Sequence, residues 1–217
     1  MSPRLILLPR LPRYLSQDEL RRFLGAIRRP RDLTLFSVIY HHGLRVGEVA
    51  LLRRGSVDLQ RRRLVVLRLK GGAWSVQPLF AGTAALLAAH LATLPADPDW
   101  PLFPGRRGPL QRRQIQSLFV RYREAAGLPR HFTCHSLRHS IATHLLDAGA
   151  SLEFVQDHLG HQSIRSTSIY ARITDHHRAE AFRRLESSPW IVQPDSPDAT
   201  ASLPPPPGGR PCSAVLG

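Results

Sequence analysis

Only one stretch of this chain reads as extended structure, and almost everything around it reads as helix. Residues 62–69, RRLVVLRL, and 74–80, WSVQPLF, are rich in β-forming side chains. Lys70, Gly71 and Gly72 lie between them with the chemistry of a hairpin turn. Upstream, Ser16 and Glu19 have the spacing of a capping box, and Leu20, Phe23, Leu24 and Ile27 then form one apolar face. A first helix is expected over 16–29, ended by Pro30, and a second from Asp32 toward His42. Gly43 breaks that helix, and a third is expected from Val46 to Arg53. Beyond the hairpin, helices are expected at 82–93, 111–126, 136–148, 151–159, 163–172 and 175–187, with a Pro-rich connection at 95–109. The expected class is therefore mainly α with one small antiparallel β-sheet, an α+β fold.

The organisation expected along the chain is an N-terminal extension over 1–13, one domain over 14–187, and a tail over 188–217. The tail contains Leu203-Pro204-Pro205-Pro206-Pro207-Gly208-Gly209, which cannot build a core and is expected to be disordered. Cys134 and Cys212 have no metal-ligand spacing and provide no disulfide framework. The apolar run Leu5–Leu8 is too short for a secretory signal, and the stretch 84–94 is too short to span a membrane. No membrane association is expected, and the expected location is cytoplasmic.

Charge narrows the function. The chain carries 30 Lys and Arg against 16 Asp and Glu, a formal net charge of +14. All but one of the basic residues precede residue 188, so the positive charge belongs to the part expected to fold. Such an excess favours a polyanionic partner, and nucleic acid is the commonest. Every basic residue but Lys70 is an arginine. Arginine suits phosphate, because its planar fork makes bidentate bonds and keeps its charge. It also gives up protons far less readily than lysine, so the single lysine marks a position where a transferable proton would be of use.

The densest chemistry lies between His135 and Tyr170. His135 and Arg138 are three apart at an expected helix start and share a face. A helix N-terminus already presents amide donors and a positive dipole, so a His and an Arg added there make a phosphate site. His161 follows Leu159-Gly160 and precedes Ser163, a candidate N-cap, and Tyr170 lies nine residues later. Taken one at a time, these residues read as a surface histidine, a solvated arginine, a loop histidine and a core aromatic.

Taken together, the block resembles the C-terminal motifs of the tyrosine recombinases, or phage-integrase family: H-x-x-R, then L-G-H, then a nucleophilic tyrosine about nine residues on. Upstream, His42-Gly43-Leu44-Arg45-Val46-Gly47-Glu48-Val49 resembles the family's first arginine motif, and Lys70 occupies the place of its catalytic lysine. The resemblance covers about residues 12–186. It implies a catalytic set of Arg45, Lys70, His135, Arg138, His161 and Tyr170, with Glu48 orienting a neighbouring His or Arg. It implies no cofactor and no metal. The implied reaction is DNA strand breakage and rejoining, with double-stranded DNA as partner and a homotetramer on paired DNA sites.

The implied chemistry is specific. Arg45 and Arg138 would clamp the non-bridging oxygens of the scissile phosphate, and losing one such donor typically costs about 2.7–4 kcal/mol. Tyr170 would attack phosphorus, leaving a 3′-phosphotyrosyl link and a 5′-hydroxyl. Lys70 would protonate the departing oxygen, His135 would assist proton transfer at the tyrosine, and His161 would donate to the phosphate. Arg61, Arg62 and Arg63 at the hairpin base, with Arg112, Arg113, Arg121 and Arg123 on the 111–126 helix, are candidates for contacts along the DNA backbone.

Many family members carry a helical DNA-binding domain before the catalytic one, whereas here the resemblance begins almost at once, at Tyr14-Leu15-Ser16. A partner recombinase or accessory protein is therefore a candidate for the other half of the DNA clamp. The rival reading keeps the fold but not the chemistry: a catalytically silent DNA-binding accessory or regulator. A third, a metal-dependent nuclease, lacks a carboxylate pair or a histidine cluster at ligand spacing.

Overall fold

A computed structural model describes residues 13–69 and 72–160. The elements are α1 (Gln17–Gly25), α2 (Pro30–His41) and α3 (Val46–Val49), then β1 (Val57–Asp58), β2 (Arg63–Leu67) and β3 (Trp74–Pro78). They continue with α4 (Ala81–Leu91), β4 (Pro104–Gly105), β5 (Gly108–Pro109), α5 (Arg112–Ala125), α6 (Cys134–Asp147) and α7 (Leu152–Leu159). The fold is mainly α with small antiparallel sheets.

Local chemistry explains most boundaries. Ser16 accepts from the Glu19 amide and Glu19 accepts from the Ser16 amide, so the expected capping box forms. The first helix nevertheless stops at Gly25, four residues short of the expectation. Glycine is a poor helix former, and Arg29 must be extended because Pro30 follows it. The third helix also falls short of Arg53. The Leu102 amide donates to the Leu52 carbonyl and Arg53 bridges Pro101, so partners distant in sequence take the place of helical bonds.

The hairpin pairs β2 with β3 antiparallel, Val65 opposite Val76, and β1 adds a third strand on the β2 side. β1 and the β4–β5 pair lie outside the expected strands, since two-residue strands carry no periodicity. α2 is the central element, packing against α1, α4 and α6. Phe23 of α1, Phe36 of α2 and Phe119 of α5 meet in an aromatic cluster, with ring centroids 4.8–6.1 Å apart. Beside it the buried Asp32 carboxylate accepts from Tyr122 at 2.7 Å and pairs with Arg31. The Leu15 amide donates to Ser140 Oγ at 2.8 Å, fastening the segment before α1 onto α6. Among the described residues no helix is long and apolar enough to cross a membrane.

Candidate functional site

The end of α2 determines where the site lies. Gly43 has φ +55°, and the Leu44 amide donates to Ile39 while the Gly43 amide donates to Tyr40. This is the Schellman closure that glycine favours, and it turns the chain sharply into Arg45. Arg45 caps α3: its amide donates to Glu48 Oε2 and its Nη1 to Glu48 Oε1, both at 2.8 Å. About a quarter of the Arg45 side chain stays open (24%), while Glu48 is fully buried. Burial alone would raise the Glu48 pKa, but the Arg45 amide and the charges of Arg68 and Arg45 outweigh it and hold the carboxyl below its ordinary value.

Facing this turn is the N-terminal end of α6. His135 and Arg138 lie in its first turns, three residues apart as expected. His135 is solvent-exposed and lines a cleft of about 480 Å³ together with Arg45, Leu69, Arg112, Gln116 and Thr133. Desolvation lowers the His135 pKa, and the charges of Arg138 and Arg45 lower it further. Arg138 is buried, with Nη1 donating to the Gly43 carbonyl and Nη2 to the Leu159 carbonyl at 2.7 Å. A cleft bordered by Arg45, Arg112 and Arg123 therefore stands at a helix N-terminus, where the helix dipole and the guanidinium charges both favour an anion. Cys134 also borders the cleft, but burial pushes its thiol up to about 12, which keeps it protonated.

The sequence matches the profile of the phage integrase family over residues 13–177. The chain belongs to the phage integrase family. Among curated members it is 36% identical over 181 residues to tyrosine recombinase XerA of Thermococcus kodakarensis, covering 81% of this chain and 64% of that protein. It is 39% identical over 155 residues to tyrosine recombinase XerC of a Methylobacterium species, covering 70% of this chain and 48% of that one. The chain thus spans about half to two thirds of the length of the curated relatives it matches. A crystal structure of XerA recombinase superposes with TM-score 0.72 at 30% identity, over 83% of this chain and 68% of that one. XerH recombinase in a post-cleavage complex with its palindromic difH substrate gives 0.68 at 28%, over 82% and 54%.

Within this integrase fold, Arg45, Glu48, His135 and Arg138 come together, while Lys70, His161 and Tyr170 lie outside the described residues. Of the candidate backbone contacts, Arg61, Arg62, Arg63, Arg112, Arg113 and Arg121 are exposed. Arg112 faces the cleft with Arg45, and Arg113 and Arg121 line a separate groove with Arg31 and Arg106. Arg61 pairs with Asp58 at 3.2 Å. Arg123 differs from the others: it borders the cleft with Arg45 but is 7% exposed, and it donates to the carbonyls of Arg130 and Phe132, holding the loop that leads into α6.

Arg68 joins the site without having stood out in the sequence. It is 2% exposed, pairs with Glu48 at 3.1 Å, and donates to the His158 carbonyl at 2.5 Å. A signal for it exists, because strand alternation from Leu64 and Val66 places Arg68 on the inward face. Gln77 is buried on the other strand, with Nε2 donating to the same His158 carbonyl and Oε1 bonded to His42 Nδ1 at 2.9 Å.

Proposed function

We propose that this chain is a site-specific DNA recombinase that cleaves and rejoins strands through a 3′-phosphotyrosyl intermediate at Tyr170. The observation that carries the reading is the convergence of Arg45, from the turn into α3, with His135 and Arg138 of α6, around the N-terminal end of α6. A phosphodiester carries negative charge, and its pentavalent transition state carries more on the non-bridging oxygens. Preorganised guanidinium groups stabilise that charge without having to reorganise during the reaction. Arg45 and Arg138 fill this role, with Glu48 fixing the orientation of Arg45.

Tyr170 Oη attacks phosphorus, the bond to the 5′-oxygen breaks, and the free 5′-hydroxyl leaves with a proton from Lys70. Attack of a 5′-hydroxyl on the phosphotyrosine reverses the step, so the bond energy is conserved and no nucleotide cofactor is consumed. The depressed pKa of His135 suits a neutral imidazole that accepts the tyrosine proton near neutral pH. His161 follows directly on Gly160, close in sequence to the His158 carbonyl that Arg68 and Gln77 hold, and in this reading donates to the phosphate. The related structures support DNA as substrate, XerH being bound to difH. Assembly on paired DNA sites, and a partner supplying further DNA contacts, belong to the same proposal.

The test is to mix purified protein with DNA fragments flanking its own gene in EDTA, quench with SDS, and look for DNA covalently attached to protein. Wild type should give attachment and Tyr170→Phe none. Attachment by the Phe variant would exclude Tyr170 as nucleophile. Binding without attachment by wild type would leave the silent accessory, and cleavage abolished by EDTA would point to a metal-dependent nuclease.

A further inference from the structure

We infer that Arg68 is a positioning residue for the phosphate clamp, tying the carboxylate that orients Arg45 to the C-terminal end of α7. The inference rests on the roles proposed above for Arg45 and Arg138. Arg68 Nη1 donates to Glu48 Oε2 at 3.1 Å, while Glu48 Oε1 accepts from Arg45 Nη1 at 2.8 Å. Oε2 also takes the Arg45 amide, so the carboxylate is gripped on both oxygens and its plane is determined. The other end of Arg68 donates to the His158 carbonyl, and the next carbonyl, Leu159, accepts from Arg138. Adjacent carbonyls in the last turn of α7 therefore anchor both arginines, Arg138 directly and Arg45 through Glu48 and Arg68. The spacing of the two guanidinium groups follows from one rigid helix end rather than from two independent side chains.

Packing alone gives no reason for an arginine here. Burying its charge is costly, and an apolar side chain of similar volume on the same inward strand position would be at least as stabilising. The surroundings are shaped around the guanidinium all the same. A Cβ on Gly160 would lie 2.9 Å from Arg68 Nε and 3.0 Å from its Cδ. The Gln77 amide reinforces the same His158 carbonyl from the neighbouring strand.

The experiment uses a duplex containing the cleavage site located by covalent attachment, in two versions. One carries the ordinary phosphodiester. In the other a methyl group replaces a non-bridging oxygen at the scissile position, which removes the charge that the clamp holds. Single-turnover formation of the covalent complex is followed for wild type, Arg68→Met, Arg68→Lys and, as reference, Arg45→Ala. Arg68→Met should slow phosphodiester cleavage by roughly 10–100-fold, as loss of an outer hydrogen-bond partner does. It should slow methylphosphonate cleavage far less, so the ratio of the two rates shifts in the direction seen with Arg45→Ala. Arg68→Lys should recover part of the loss, because it keeps the charge but not the planar fork.

Equal loss on both substrates would mean that Arg68 serves only the fold, and no loss on either would overturn the inference as directly. Should thermal melting show that the Met variant does not fold, the Lys variant carries the same comparison, and its rate ratio decides in the same way. Wild type that forms no covalent complex would remove the functional reading itself. Normal behaviour of wild type and Arg45→Ala, with Arg68→Met tracking wild type, would remove only the positioning role.

Discussion

Gly43 carries more constraint than any other single residue near the cleft. Its φ of +55° costs an L side chain about 1–2 kcal/mol, and a Cβ there would stand 2.5 Å from Leu159 Cδ2 in a fully buried contact. Its carbonyl also accepts from Arg138, so a shift of this turn moves the arginine. Gly43→Ala is expected to destabilise the protein by about 2–4 kcal/mol, strain and overpacking together. A thermal melt checks this, and a Tm within a degree of wild type would show that Leu159 moves aside freely. At this scale the spacing of His135 and Arg138 suggested a phosphate site, whereas Arg45 and Glu48 were singled out by the resemblance of their motif to the family's first arginine motif. Arg68 was not singled out, because its role depends on a carbonyl 90 positions away.

At the scale of elements, caps and tertiary partners share the work. α1 owes its start to the reciprocal bonds between Ser16 and Glu19, and Ser16→Ala should cost about 1 kcal/mol. Urea unfolding would show this as a lower midpoint with an unchanged slope, whereas a changed slope would mean that the segment before α1 has come away from α6. α7 has only eight residues and would be marginal alone. Its last carbonyls are taken by Arg68, Gln77 and Arg138, so the elements that carry the site also stabilise the helix end on which they rest.

Over the whole molecule, buried and half-buried histidines set the response to acid. Burial lowers His42 to about 3, and His41 and His139 to about 4, from an ordinary 6.5. Between those values the unfolded chain binds more protons than the folded one, so stability is full above about 6.5 and is lost as pH falls toward 3. Glu48, held below its ordinary 4.5, loses its contribution only at lower pH, so the fall that begins at 6.5 belongs to the histidines. Tm should therefore fall as the pH is taken from neutral toward the ordinary carboxylate range. His42→Asn, which keeps a donor for Gln77, should flatten that fall, and an unchanged slope would place the acid response elsewhere.

Periodicity, capping and residue spacing are properties of neighbours along the chain. They were enough for the class of fold, the hairpin and most helix positions, while Arg45, Glu48, His135 and Arg138 were picked out by the resemblance of their motifs to the family's. Packing settled the rest: where the first and third helices stop, that Arg123 holds a loop at the border of the cleft, and that α7 ends on two arginines. Each of these depends on which distant carbonyl or side chain offers the better hydrogen bond once the chain is folded, and no local pattern encodes that choice.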